Sequence, residues 1–369
     1  VDQRKLTAII LAAGCASRMG QFKPLMKLGE QTLTEVVVAS FIKAGITDIR
    51  VVVGYDRELL MPVLEKAGAR VIINDHYTDG MFSSVLAALD GMESDVKAFF
   101  LLPADIPLIR PWTIKHLMES AASHENRILV PSFMGRRGHP PFIPATFAEK
   151  IKKWQGGEGL KGALAQFAEQ TVSVSVADEN ILFDVDTPAD YEALKARMAR
   201  CHVPSRNECE TLLREVFRME DKTYRHSHAV AALAERLAHD MNKAGGNLDV
   251  EMIFAAGLLH DLAKGKPSHD REASRILMDM GYPGVADMVG SHMNILFSPE
   301  KAVGGAEVVY VADKFVREDE FMSLEQRARD EIQKRGQDPM VRQAIEKRFH
   351  HAKMIRDRIE SMIGRRISV

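Results

Sequence analysis

Short apolar runs alternate with amphipathic stretches over the first 200 residues, and beyond residue 206 strand signals nearly vanish and almost everything follows the helical period. This break constrains the fold more than any other feature of the chain. The runs at 6–11, 49–53, 70–73, 98–102, 128–130 and 172–176 are rich in Val, Ile, Leu and Phe and short enough for strands. Helical patterns at 32–44, 57–67, 83–92 and 111–122 separate several of them, which predicts an α/β domain around a mostly parallel sheet. Residues 201–206, Cys-His-Val-Pro-Ser-Arg, carry no periodicity and read as a linker. After them, stretches at 208–218, 224–243, 250–264, 270–280, 302–316, 324–335 and 341–363 all follow the helical period, so the second half is expected to be all-α. A chain of 369 residues exceeds the usual single-domain size. The predicted domains are 1–200 and 207–369.

The strand at 6–11 runs into Leu11-Ala-Ala-Gly-Cys-Ala-Ser-Arg-Met-Gly-Gln-Phe-Lys23. Small residues there let backbone N–H groups approach a polyphosphate, and Arg18 and Lys23 supply positive charge. In open α/β sheets ligands gather at the carboxyl ends of the strands, where this loop falls. Acidic partners lie downstream. Asp105 ends the run at 98–102 between two prolines, and Asp184 and Asp186 precede a helix start at Thr187-Pro188. Carboxylates at strand ends facing a phosphate loop are what Mg²⁺ requires, since it prefers hard oxygen ligands shared with phosphates and water. Each aspartate could also serve as a helix or turn cap, but three compatible segments in one α/β frame favour a site.

Bulk charge narrows the partners. A formal charge of −2 argues against nucleic acid or an anionic membrane as the target. No apolar run approaches the ~20 residues needed to span a bilayer. The apolar run at 6–11 begins within a few residues of the start, so no signal peptide is expected. Cys15, Cys201 and Cys209 are widely separated and form no Cys-x-x-Cys pair, so a reducing cytoplasm is expected rather than a disulfide framework. Cys15 qualifies for the phosphate loop by its small size.

The motifs of the first half resemble, in order, those of the molybdenum cofactor nucleotidyltransferases, in particular the cytidylyltransferase branch. The likeness covers about residues 5–198. It rests on the Leu11–Lys23 loop, Gly80-Met-Phe-Ser-Ser84, Pro103-Ala-Asp-Ile-Pro-Leu108, Gly138-His-Pro140 and Asp184-Val-Asp-Thr-Pro-Ala-Asp190. The resemblance implies a Rossmann-like nucleotidyltransferase domain whose Leu11, Ala12, Ala13 and Gly14 line the nucleotide with Gly80, Ser83 and Ser84. Arg18 and Lys23 would hold the triphosphate, Asp105 and Asp186 would bind Mg²⁺, and His139 would lie near the acceptor phosphate. The motif match favours Asp186 as the ligand, with Asp184 supporting it from behind, and His139 could instead make a rigid turn with Pro140. Ala13 stands where the guanylyl-transferring branch carries glycine, which favours CTP. The implied reaction is attack of an acceptor phosphate oxygen on the α-phosphate, releasing pyrophosphate without a covalent enzyme intermediate. The implied acceptor is a molybdopterin-type cofactor, with a molybdoenzyme as client. The same frame serves sugar, alditol and choline phosphates, so the acceptor stays open.

The second half spaces its histidines and aspartates as metal chemistry can use them. His226 lies in the first turns of a long amphipathic helix, His260-Asp261 ends an apolar one, and Asp313 sits inside another. A charged Asp in an apolar helix is costly unless paired or metal-bound. Imidazole with carboxylate suits Fe, Mn or Zn. The ordered set resembles the HD superfamily of metal-dependent phosphohydrolases over about residues 207–320, with the nearest likeness to bacterial diadenosine-tetraphosphate hydrolases. His269 and His292 fall where two-metal members supply extra histidines, so one or two transition metals are implied, with Asp261 adjoining both. The implied chemistry is metal-assisted attack of water on phosphorus, with Lys264 stabilising phosphate charge. Lys264 could equally be a cation near a helix C-terminus. His228 is left out of the ligand set, and the terminal helices carry no signal. A non-catalytic nucleotide-sensing module is the alternative for this half.

Overall fold

The computed structural model describes residues 6–14, 19–298 and 300–367. Arg18 and Cys15 of the phosphate loop lie outside the described residues. The chain divides into two compact units, residues 1–200 and 201–369.

The first unit is built on a mixed sheet of strands β1 (Leu6–Ala12), β2 (Asp48–Val53), β3 (Arg70–Ile73), β4 (Ala98–Pro103), β5 (Ile128–Phe133), β6 (Arg136–Arg137), β7 (Phe142–Pro144) and β8 (Thr171–Ser175). The order is β8-β5-β7-β4-β1-β2-β3, with β6 paired to β5. β3, β2, β1 and β4 are mutually parallel, as are β5 and β8. β7 runs antiparallel between β4 and β5. Three residues between prolines carry too little pattern to announce a strand, so β7 was not legible in the sequence.

Both faces of the sheet are covered. Ala8 and Ile10 of β1 pack with Val37 and Phe41 of α1 (Leu33–Ala44), Leu60 of α2 (Arg57–Lys66) and Ile114 of α4 (Pro111–Ala121). Ile9 and Leu11 face the other way, onto Val85 and Leu89 of α3 (Met81–Asp90). Every residue of β1 is therefore buried, which is why it reads as an unbroken apolar run rather than an alternation. A smaller cluster of Met19, Leu28, Leu33, Val185 and Leu194 ties the segment after the phosphate loop to α5 (Pro188–Arg200).

The second unit is helical: α6 (Asp221–Lys243), α7 (Val250–Leu259), α8 (His269–Asp279), α9 (Pro283–Gly290), α10 (Gly305–Phe315), α11 (Leu324–Arg335) and α12 (Pro339–Ile363). A two-residue antiparallel ladder, Val316–Arg317 with Glu320–Phe321, interrupts it. α7 stops at Leu259 rather than continuing to Lys264. Tight turns follow, in which Leu262 N–H reaches the Leu259 carbonyl and Lys264 N–H reaches that of Asp261. A Cβ on Gly257 would lie 2.9 Å from Ala231 Cα, so this glycine lets α7 approach α6 closely. No helix among the described residues is long and apolar enough to cross a membrane.

Candidate functional site

The expected residues of the first unit collect along one edge of the sheet. Ala13 and Gly14 follow β1, Tyr55 follows β2, Asn74 follows β3 and Asp105 follows β4. Since these strands are parallel neighbours, all four loops emerge at their carboxyl ends. Backbone bonds from Tyr55 N–H to the Ala13 carbonyl and from Ala104 N–H to the Leu11 carbonyl hold the loops side by side.

Lys23 is the centre of this edge. Its Nζ lies 2.6 Å from Asp186 Oδ1 and 3.5 Å from Asp105 Oδ2. Two contacts fix its segment: Thr34 Oγ1 donates to the Pro24 carbonyl at 2.9 Å, and Leu33 N–H to that of Met26. Val185 N–H donates to the Asp105 carbonyl, which brings the two acidic segments together across the chain. Burial pushes the Asp105 carboxyl above its ordinary range; Lys23 opposes this, while Asp186 and Asp184 reinforce it. Two carboxylates on one ammonium, with the charge of Asp184 also acting on Asp105, form a site short of positive charge, and hard oxygens of this kind fit Mg²⁺. Asp184 is exposed and Asp186 half-buried.

Asp190 completes the acidic turn. Its Oδ2 accepts from Thr187 N–H at 2.7 Å, Thr187 Oγ1 at 2.7 Å and Asp186 N–H at 3.2 Å. The Thr-x-x-Asp spacing is that of a helix-start cap and could have revealed this role. Asp190→Ala is expected to lower nucleotidyl transfer about tenfold by freeing Asp186, a change of the size caused by small misplacement of a reacting group. Folding should be retained. Unchanged kcat/KM would show that Asp186 is held some other way.

Ser84 is buried and Ser83 half-buried, and both hydroxyls bond within their own turn. The Asn74 side-chain amide donates to Ser83 Oγ at 2.9 Å and to Ser84 Oγ at 3.0 Å, and Ser83 Oγ donates in turn to the carbonyls of His76 and Gly80. They thereby shape the turn at Gly80, whose φ of +97 suits glycine, at the start of α3. Asn74 was not singled out from the sequence, where nothing distinguishes it from an ordinary turn residue.

His139 reaches the same edge from β7, since an antiparallel strand begins where its neighbours end. Its N–H donates to the Ile181 carbonyl, and its Nδ1 is buried without a hydrogen-bond partner among the described residues. Burial pushes its imidazole below the ordinary value. A Cβ on the preceding Gly138 would lie 2.3 Å from the Ile181 carbonyl oxygen. Gly138→Ala is expected to cost about 1–3 kcal/mol, because the obstacle is backbone and cannot step aside. Thermal unfolding checks this, and an unchanged Tm would contradict it.

In the second unit His226, His260, Asp261, His269, His292 and Asp313 converge. α6 buries the stripe Thr223, His226, Val230, Ala234, Leu237 and Met241 at helical spacing, which points His226 inward. His228 lies off the stripe, with Nε2 2.9 Å from Glu210 Oε1. The rings of His226, His260 and His292 each place Nδ1 within 2.9 Å of a backbone carbonyl, those of Glu318, Gly257 and Val289. Such a bond assigns the proton to Nδ1 and leaves the Nε2 lone pair for a ligand. His260 Nε2 is fully buried with no hydrogen-bond partner.

Asp261 divides its two oxygens. Oδ1 lies 3.4 Å from His269 Nε2 and 3.9 Å from His292 Nε2; Oδ2 lies 3.5 Å from His260 Nε2 and 3.9 Å from His226 Nε2. Asp313 Oδ1 joins the second pair, 3.1 Å from His226 Nε2. Two groups able to hold a metal ion share Asp261: His226, His260 and Asp261, and Asp261, His269 and His292. Lys264 and Lys314 neutralise Asp261 and Asp313, each at 2.5 Å. Burial disfavours the charge on Asp261, but His260, His269 and Lys264 hold its carboxyl far below the usual range. Burial and the nearby His260 push His292 down to about 4. Imidazoles gathered around a shared carboxylate are a donor set for transition metals. The terminal helices, uninformative as sequence, contribute to the cavity over this cluster through Arg327 of α11 and Arg348 of α12.

Residues 8–172 match the MobA-like NTP transferase domain family and residues 223–318 the HD domain family. The chain is 25% identical to the molybdenum cofactor cytidylyltransferase of Escherichia coli over 193 residues, 52% of this chain and 96% of that protein. It is 35% identical to the 2-aminoethylphosphonate cytidylyltransferase of Lancefieldella rimae over 112 residues, 28% of this chain and 45% of that protein. It is also 25% identical to the nicotine blue oxidoreductase of Paenarthrobacter nicotinovorans over 191 residues, 49% of this chain and 92% of that protein. The chain thus carries a MobA-like NTP transferase domain at residues 8–172 followed by an HD domain at residues 223–318.

Proposed function

We propose that the first half transfers CMP from CTP to a phosphorylated acceptor, a molybdopterin-type cofactor, and that the second half is a metal-dependent phosphohydrolase, both working in a reducing cytoplasm. The observation that carries the transferase reading is Lys23 braced between Asp105 and Asp186 at the carboxyl edge of the sheet. In this reading Asp105 and Asp186 hold Mg²⁺, which when bound shields the triphosphate and the leaving pyrophosphate. Lys23 and Arg18 bind the phosphates. The backbone of Leu11, Ala12, Ala13 and Gly14 and the turn of Gly80, Ser83 and Ser84 receive the nucleotide. His139, whose buried Nδ1 has no hydrogen-bond partner among the described residues, would lie near the acceptor phosphate. The near-complete coverage of the Escherichia coli relative supports the pterin acceptor over the sugar, alditol or choline phosphates. A molybdoenzyme then serves as client for the product.

For the second half, the divided carboxylate of Asp261 carries the reading. His226, His260, Asp261 and Asp313 would hold one metal, and Asp261, His269 and His292 another. Fe, Mn or Zn at these positions would acidify a water and neutralise charge at phosphorus. Lys264 exchanges its contact with Asp261 for one with a phosphate oxygen.

Pyrophosphate release tests the transferase. With Mg²⁺, turnover is expected with CTP and molybdopterin cofactor and much less with GTP. Turnover with a sugar or choline phosphate alone would overturn the acceptor assignment, and redox turnover without nucleotide consumption would overturn the transfer itself.

A further inference from the structure

The cavity over the histidine–aspartate cluster has a volume of about 720 Å³, more than a single phosphate fills. Part of its wall comes from α11 and α12, which lie beyond the segment matched to the HD family. Arg327 and Arg348 are largely buried there and share one carboxylate at long range: Glu331 lies 3.6 Å from Arg327 Nε and 3.9 Å from Arg348 Nη2. Arg327 Nη1 also donates to the Asp313 carbonyl at 2.8 Å, so this wall adjoins the cluster. Lys334 and Arg335 end α11 and line the same cavity, and neither has an ion-pair partner among the described residues.

Last-turn cations complement a helix dipole, which accounts for Lys334 and Arg335 as surface charges. It does not account for two part-buried guanidiniums on one distant carboxylate. Removing such charges from water is unfavourable without compensation, and the open side of this wall faces the cavity. Asp330 does not supply the missing charge, because it pairs with Arg317 at 2.5 Å. Guanidiniums in this setting recognise phosphate oxygens through charge-assisted, often bidentate bonds.

We infer that Arg327, Arg348, Lys334 and Arg335 form a second anion subsite, so that this half takes substrates carrying a further anionic group, bisphosphates or phosphoanhydrides, over isolated phosphomonoesters. The inference rests on the reading of the cluster as a phosphohydrolase centre. The reacting phosphate occupies the cluster, and the remaining phosphate meets the wall. The residues act by positioning and selection, without a part in bond cleavage.

The test uses the full chain loaded with Mn²⁺, its metal content measured before and after titration. Calorimetry compares ethyl phosphate with alkane bisphosphates of increasing chain length, which differ from it chiefly by the second phosphate. The best-fitting bisphosphate is expected to bind at least about tenfold more tightly than ethyl phosphate, as a charge-assisted contact predicts. Arg348→Gln and the double variant Lys334→Gln, Arg335→Gln should each remove most of that advantage and leave metal content unchanged. Arg342→Gln on α12, whose side chain pairs with Glu346, is the control and should keep the advantage. Equal affinity for the two ligand types, or an advantage that survives both variants, would overturn the subsite. Failure of the wild type to take up metal would overturn the underlying centre instead, and is seen before any phosphate is added.

Discussion

Asp261→Asn is expected to lower phosphoester hydrolysis by the second half more than a hundredfold and to remove at least one bound metal. The substitution preserves size and one oxygen but turns an N–H₂ group toward either the His226–His260 side or the His269–His292 side. An amide nitrogen offers no lone pair to a cation, so one of the two donor groups loses its shared ligand. Loss of outer-shell partners alone changes metal affinity about 10–100-fold, and a bridging ligand should exceed that. Turnover of bis(p-nitrophenyl) phosphate and metal analysis of the purified chain measure the two effects. Wild-type activity and metal content in this variant would refute the bridging role. If the half only senses nucleotides, metal content would be negligible in both proteins.

Lys23→Ala is expected to reduce nucleotidyl transfer about 10²–10³-fold, the scale for removing one preorganised donor from a transition state. It should also alter the pH profile. Burial already raises the Asp105 carboxyl, with Lys23 the influence that lowers it. A proton on Asp105 competes with Mg²⁺, so the acid limb of activity lies above the ordinary carboxylate range. Without Lys23 the carboxyl rises further, and the acid limb of the residual activity moves to higher pH. Stability follows the same sign. A carboxyl raised on folding disfavours the folded state once it ionises, so the loss of stability in Lys23→Ala is larger at neutral than at acid pH. An unmoved acid limb would show that Lys23 does not act on Asp105.

The parts of both sites that were legible belong to short, ordered segments. Asp105 ends an apolar strand, Asp186 precedes a proline-started helix, and His260-Asp261 closes an apolar helix; each stands out because its chemistry contradicts its surroundings. Asn74 does not stand out, since asparagine in a turn is an ordinary residue until its partners are known, and Asp190 enters only as the end of the Asp184–Asp190 motif, although its Thr-x-x-Asp spacing marks a helix-start cap. The hydroxyls of Ser83 and Ser84 bond to Asn74 and organise the turn at Gly80, a contact that the sequence alone does not announce. β7 was missed for want of length, although its reversed direction is what delivers His139 to the ligand edge.

By itself the sequence determined the types of the longer elements, the change from an α/β half to a helical half, and which residues have phosphate- or metal-binding chemistry to offer. These follow from local periodicity and from polar groups set in apolar runs, both of which a linear chain displays. Tertiary structure decided which atoms meet. It placed Lys23 between two acids more than eighty and a hundred and sixty positions away, divided Asp261 between two histidine pairs, and folded the polar helices α11 and α12 onto the cavity. No periodicity announces such contacts, because an arginine on a solvated helix and an arginine in a cavity wall share the same local pattern. They differ only in what the rest of the chain packs against them.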